Sequence, residues 1–367
     1  MAWILAAWKK LGRVGRMTLA TQTPIAISND DFNTMLAFAN TIYRLKHNPD
    51  YLNALQLDLP ETIDIQPKQS SVLMGYDFHL TADSPKLIEI NNNAGGLWEK
   101  DDGWIPQCQH DEMLGLLESR LLNMFDTSWQ HIAIMDEDVE QQYMFPEMQA
   151  YAKLLQDDGR KVSLVSPEDL MTQDDGLYVN SEKVDMIYNR HTDFYLESQV
   201  MQHIRQAFMM NQVALNPYPR SYALIGDKNR MVDWWRDGFL AFLPQKERAL
   251  IHQVVPETHV LAEVDTEQAW ANRKKWVFKP AARHGGKGVL LGKAMSRKRF
   301  ADLGGSSTVM QKLVPASQIE IDGKSFKFDV RLYMCGEKLI AMTGRAWNGQ
   351  ITNFREEGSG WTPIQVK

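Results

Sequence analysis

Cysteine is scarce: Cys108 and Cys335 are the only two in 367 residues, too few for a disulfide framework and without metal-site spacing. A reducing, cytoplasmic setting is therefore the expectation. Long apolar runs are also missing, since none approaches the roughly 18–20 residues that cross a bilayer. Nor is there an excess of positive charge. Lys and Arg total 40 against 46 Asp and Glu, and a net charge of −6 gives no electrostatic reason to expect nucleic acid or an anionic membrane as partner. Internal repeats and low-complexity linkers are absent too. What remains is a chain 44% hydrophobic and 23% charged, the profile of a globular protein of two or three domains acting on small molecules.

The first residues, MAWILAAWKKLGRVGRM, place Lys9, Lys10, Arg13 and Arg16 after the apolar stretch, the reverse of a secretory signal. Residues 1–17 are expected to be a loosely ordered extension, with Met17 as an alternative start. Residues 30–58 carry apolar side chains at helical spacing behind an Asn/Asp start signal. Within 71–91, SVLMGYDFHL and KLIEIN read as strands joined by the turn formers of TADSP, which predicts an antiparallel hairpin. Residues 110–130 read as helix again. From 131 the order is strand (HIAIMDE), helix (FPEMQAYAKLLQDDG), strand (KVSLVS), then a hairpin-like LYVNSEKVDMIYN, which predicts a small α/β unit with a parallel sheet. No GxGxxG joins its first strand to its helix, so dinucleotide binding is not indicated. After a helical stretch near 197–211, residues 275–292 read as strand, glycine-rich loop and strand, with further strands at 308–313, 326–334 and 338–346 and a polar tail beyond.

Five stretches carry chemistry. In VFKPAARHGGKGVLL, Lys279 ends a strand and Gly285, Gly286 and Gly288 supply a backbone able to close over polyphosphate oxygens; a plain glycine hairpin is the competing reading. VMQKLVPA joins a strand to a short hinge, which suits an adenine edge and faces as well as it suits an ordinary buried strand. FKFDVRLYM puts Lys327, Asp329 and Arg331 on one face of a strand, either a solvated edge or a phosphate-binding arginine with an acid beside it. TGRAWNGQITNFREEGSG sets Arg345, Asn353 and Arg355 about a glycine-rich turn, suited to oxyanions. A fifth, GYDFHLTADSPKLIEINNN, brings Asp77, Glu89 and Asn91 to one hairpin face, an oxygen set suited to Mg2+. Glu89 in an apolar strand needs a cation, because an unpaired buried carboxylate is costly.

Together these stretches resemble the ATP-grasp superfamily, glutathione synthetases in particular, over about residues 70–367. FKP with HGGKG looks like the family's phosphate lysine and small loop, which implies nucleotide contacts from Lys279, His284, Gly285, Gly286, Lys287 and Gly288. MQKLVP resembles the hinge, implying Gln311, Lys312, Leu313 and Val314, with Gln311 where the family has an acid. FDVRLYM resembles the Asp-x-Arg strand, implying Asp329 at the nucleotide and Arg331 at the phosphates. GRAW…TNFREEGSG resembles the segment near the acyl phosphate, implying Arg345 and Asn353. Lys228 of the Asp-Lys pair in NPYPRSYALIGDKNRM matches a lysine that touches the nucleotide, and YNRHTDF resembles the preceding linker. The metal-holding hairpin that normally closes the domain appears here first, as Asp77 and Glu89-Ile90-Asn91, an order similar to the circularly permuted eukaryotic-type synthetases and to a group of bacterial permuted ATP-grasp proteins. Arg283 stands where permuted synthetases carry an acid.

The resemblance implies an α/β (α+β) ATP-grasp fold, circularly permuted, with a small Rossmann-like parallel-sheet substrate domain. The expected division is 1–17 extension, 18–130 helical region with the permuted hairpin, 131–216 substrate domain and 217–367 nucleotide domain. It further implies an ATP- and Mg2+-dependent carboxylate–amine (or thiol) ligase acting on small or peptide-like molecules, with Arg190, Asn92 and Arg355 as substrate contacts; a homodimer is compatible with it. A small-molecule kinase and a non-catalytic ATP-binding regulator stay open as alternatives.

Overall fold

The computed structural model describes residues 24–55, 60–65, 72–97, 111–280, 289–303, 308–321, 323–349 and 359–367. The expected extension 1–17 lies outside them. Strand β1 (Ile25–Ile27) leads into helix α1 (Asn29–Leu45), which starts where the sequence puts its cap: the Asp31 N–H donates to Ser28 Oγ at 3.0 Å, and Asp30 and Asp31 occupy the first turn. Its stripe Met35, Phe38, Ile42 and Leu45 is buried. A short α2 (Pro49–Leu55) follows.

The predicted hairpin is β2 (Met74–Leu80) with β3 (Pro85–Asn91), and the predicted helix after it is α3 (Asp111–Leu122). The α/β unit comprises β4 (His131–Met135), α4 (Phe145–Asp157), β5 (Lys161–Val165), the small strands β6 (Met171–Gln173), β7 (Gly176–Val179) and β8 (Glu182–Lys183), then β9 (Met186–Asn189), α5 (Gln202–Met209) and β10 (Ala214–Asn216). Its sheet is wholly parallel, in the order β10-β9-β4-β5. The segment LYVNSEKVDMIYN is only half a hairpin. β7 and β8 pair around Asn180 and Ser181, both at positive φ, but β9 leaves to join the parallel sheet. All four of its residues are buried, as a parallel strand covered on both faces requires.

Beyond a π-helical turn (Tyr222–Gly226) come α6 (Asn229–Asp233), α7 (Gln245–Val254), β11 (Thr258–Val260), α8 (Thr266–Ala271), β12 (Trp276–Pro280), β13 (Leu290–Leu291), α9 (Arg297–Leu303) and β14 (Thr308–Lys312). These strands form a small antiparallel sheet, β11-β14-β12-β13, closed by its own core of Phe278, Phe300, Met295 and Met310. The remaining strands are β15 (Ser317–Ile321), β16 (Lys324–Cys335), β17 (Lys338–Trp347), β18 (Gly360–Thr362) and β19 (Ile364–Val366). The tail expected to be merely polar thus supplies two strands, and β19 pairs in parallel with β1.

The largest sheet runs β18-β17-β16-β2-β3, so an early hairpin completes a sheet whose other strands lie some 250 positions later: Arg331 stands opposite Asp77, 254 residues away. Period-two alternation fixes which side chains face where. Tyr76, Phe78, Phe328, Val330 and Leu332 enter the core under α1, while Asp77, Asp329 and Arg331 take the other face. That face, the parallel sheet's edge and the small sheet meet at the site described next. No described helix is long and apolar enough to cross a membrane.

Candidate active site

Strand β2 places Asp77 directly between Glu89 of β3 and Arg331 of β16. Arg331 Nε and Nη2 donate to Asp77 Oδ1 and Oδ2 at 2.6 and 2.7 Å, and Arg345 Nη2 from β17 reaches the same Oδ2 at 2.7 Å. Arg345 also makes a two-pronged bond to Asp329, with both contacts at 2.7 Å. Exposure of these four residues runs from 1% to 8%, so the charges need one another, since a buried ion without a partner is strongly unfavourable. Burial opposes ionisation of Asp77, but the two guanidiniums outweigh it and hold its carboxyl below the ordinary range. The reading of FKFDVRLYM as a solvated edge is excluded; Lys327 donates to the Gly349 carbonyl at 2.6 Å instead of joining the cluster.

Asp77 was expected among the metal ligands, and the geometry gives it another place. Its oxygens already accept two guanidiniums and the Asn91 amide, whose Nδ2 donates to Oδ2 at 3.0 Å. Metal-binding groups of three or more His, Cys, Asp and Glu are absent among the described residues. The oxygens left for a cation are those of Glu89, a quarter exposed, and the carbonyl end of Asn91, whose amine end Asp77 holds. Both residues line a cavity of about 350 Å³. A carboxylate with an amide carbonyl is the hard-oxygen set Mg2+ takes alongside waters and substrate phosphate, so the residues present fit that ion.

Two lysines flank Glu89. Lys228, just after the π-helical turn, brings Nζ to 3.7 Å from Glu89 Oε1. Lys279, on β12 of the small sheet, donates to the Ile88 carbonyl at 2.8 Å and to Gln311 Oε1 at 2.7 Å. Glu89 and Asn91 therefore lie beside Lys279 and Arg331, as the resemblance requires. Burial lowers the Lys279 ammonium to about 8, with Glu89 pulling the other way. A family acid at position 311 would neutralise this lysine; Gln311 satisfies it as a neutral acceptor. The hinge is less open than expected. The Leu313 N–H donates to the Lys275 carbonyl at 2.8 Å, and the Val314 carbonyl lies 3.2 Å from His79 Nδ1. Lys312 is exposed and faces Glu257 at 3.7 Å. Burial pulls His79 down to about 4, so its ring is neutral.

At the far end of the cavity are the carboxyl edges of β4 and β9, where open α/β sheets take their ligands. Arg190, expected to contact substrate, is mostly engaged by protein: Nη1 with Asn93 Oδ1 and Tyr188 Oη, Nη2 with Glu147 Oε2 at 3.4 Å. Asn92 is 3% exposed, and among the described residues both polar atoms of its amide lack hydrogen-bond partners, so it presents a donor and an acceptor at the cavity wall. Glu147 escaped the sequence reading. Its Oε1 accepts the Gly96 and Leu97 N–H groups at 2.9 Å each, which fixes the loop after Asn93. An acid on the apolar stripe of α4 with Tyr151 and Leu155 was the available signal. His284, Gly285, Gly286, Lys287, Gly288, Asn353 and Arg355 lie outside the described residues.

No protein-family model matches the sequence, and no curated protein matches it. Among solved structures, the chain is similar to a protein of Methylobacillus flagellatus KT provisionally named gamma-glutamylcysteine synthetase, at 11% identity and TM-score 0.54, over 91% of this chain and 86% of that one. The fold is ATP-grasp-like. Within this ATP-grasp-like fold the hairpin β2–β3 precedes the strands it completes, which is the permuted order. The ATP-grasp ligase PsnB, solved with a minimal precursor, Mg and ADP, is a more distant likeness at 15% identity and TM-score 0.31, over 64% of this chain and 88% of that one.

Proposed function

We propose that this protein is an ATP- and Mg2+-dependent ligase that joins a carboxylate to an amine or thiol through an acyl phosphate. One observation carries the reading. Glu89 sits between Lys228 and Lys279 at one end of a cavity whose walls continue through Arg331 and Arg345 to the carboxyl edge of a parallel sheet. A polyphosphate site and a small-molecule site thereby share one space.

In this reading Glu89 and Asn91 hold the ion, which on binding neutralises phosphoryl oxygens. Lys228 and Lys279 take the remaining charge of the nucleotide phosphates. Arg331 and Arg345 are aimed rigidly because Asp77 and Asp329 clamp one edge of each guanidinium, so that the arginines are preorganised donors for the carboxylate that accepts the γ-phosphoryl group. Such a site needs little reorganisation during the transfer, which is where electrostatic catalysis gains most. The name of the similar protein, a gamma-glutamylcysteine synthetase, agrees with ligation of amino-acid-like substrates.

The test is release of ADP and phosphate over a panel of carboxylic acids, with and without amines, and with hydroxylamine to trap an acyl phosphate as hydroxamate. Hydroxamate formation is expected. A stable phosphorylated product that hydroxylamine leaves untouched would favour a kinase, and nucleotide binding with no turnover a regulator.

A further inference from the structure

The charged groups along the cavity are nearly all paired. Lys228 faces Glu89 at 3.7 Å, Arg190 faces Glu147 at 3.4 Å, Arg331 holds Asp77 and Arg345 holds Asp329. Asp136 is the exception. Its Oδ1 accepts the Glu137 N–H at 2.8 Å, and among the described residues it forms no ion pair; Arg190 and His191 act on it only from a distance. Asp136 lies in the first position after β4, at the carboxyl edge of the parallel sheet, and lines the cavity. Burial pushes its carboxyl above the ordinary value, outweighing the Glu137 N–H and the more distant Arg190 and His191, which pull the other way.

The same cavity has an apolar wall. Phe194 stacks on Tyr222 with centroids 4.4 Å apart and planes at 27°, and Tyr143 and Met144 are also on the lining. A carboxylate with no ion pair among the described residues, on the same cavity lining as aromatic rings, suits a cationic head on an apolar body, because the acid supplies the opposite charge and the rings favour cations and hydrocarbon alike. An anion would meet Asp136 unfavourably, and a neutral thiol would leave it uncompensated. We propose that Asp136 and the Phe194–Tyr222 pair form the seat of the nucleophilic co-substrate, which is a primary amine bound as its ammonium, with an apolar or aromatic body. This rests on the ligase reading for the amine's later fate, while the binding itself requires no turnover.

The experiment titrates full-length protein with phenethylamine, methylamine, phenethyl alcohol and phenylacetate by calorimetry or saturation-transfer NMR. Phenethylamine should bind, the alcohol and the acid at least tenfold more weakly. Asp136→Asn should weaken phenethylamine at least tenfold, and Asp136→Glu should recover part of the loss. Phe194→Ala should cost phenethylamine more than methylamine, a second variant that probes the apolar wall independently should Asp136→Asn fail to fold. Equal binding of amine and alcohol, no binding of amine, or an unchanged titration in Asp136→Asn would overturn the assignment. Hydroxamate formation is measured separately: its absence counts against ligation whatever the titration gives, and its presence with no amine binding counts against this seat alone.

Discussion

Asp77 and Arg331 meet in a two-pronged bond of 2.6 and 2.7 Å across 254 residues of sequence, with both side chains almost wholly buried. The pair welds the early hairpin to the late strands and aims the arginine into the cavity. Asp77→Ala leaves the buried Arg331 without its counter-ion and Arg345 with Asp329 alone, a change that typically costs about 3–5 kcal/mol. Urea denaturation should show a loss of that size. Asp77→Leu with Arg331→Met should recover much of it while abolishing turnover, because an apolar pair has no charge to compensate. If the double variant is no more stable than the single, the pair is not what sets the cost.

Glu89 should behave in the opposite way. Its carboxylate is a quarter exposed, and among the described residues its ion pair, to Lys228, is long at 3.7 Å, so Glu89→Gln should leave the unfolding midpoint nearly unchanged. Its effect belongs in nucleotide binding: affinity for ATP measured with Mg2+ should fall at least tenfold, and affinity measured with EDTA much less. A variant that binds Mg·ATP like the parent would remove Glu89 from the metal role.

The hairpin face, the Asp-x-Arg strand and the position of Lys279 were all legible, because strand alternation decides which side chains share a face and the motifs sit on regular strands. Other features were not. The clamping of Asp77 by Arg345 depends on β17 folding back onto β16, a register that no local pattern specifies. Likewise β9 followed its apolar content into the parallel sheet instead of the nearer turn. Asp136 read as the end of a strand, and only the pairing of the other charges along the cavity gives its position meaning.

Lys279 gives a pH signature. Burial lowers its ammonium from 10.5 to about 8, so between those values the unfolded chain binds a proton that the folded chain has released. Stability therefore rises with pH from about 8 toward 10.5, and Lys279→Met should flatten that part of the profile. Bound phosphates favour the charged form, so nucleotide binding near pH 8 should take up a proton. Calorimetry in buffers of different ionisation enthalpy should detect the uptake in the parent and not in Lys279→Met.

Gly96 tests how firmly the loop must be held. It adopts φ +87, and a Cβ there would lie 2.0 Å from Trp361 Cζ2, a ring atom on the cavity wall. Gly96→Ala must therefore displace either Trp361 or the loop, in addition to the roughly 1–2 kcal/mol cost of a left-handed backbone for an L side chain. The Gly96 and Leu97 N–H groups are held by Glu147, which also faces Arg190, so a shifted loop would loosen two contacts of the buried acid that positions Arg190. Gly96→Ala and Glu147→Ala should then share a phenotype: lower stability, with substrate KM raised more than ATP KM, because the loop lies at the small-molecule end of the cavity and the lysines lie at the other. Equal effects on both KM values would mean that the loop serves the nucleotide as much as the substrate, and the division of the cavity into two ends would fall.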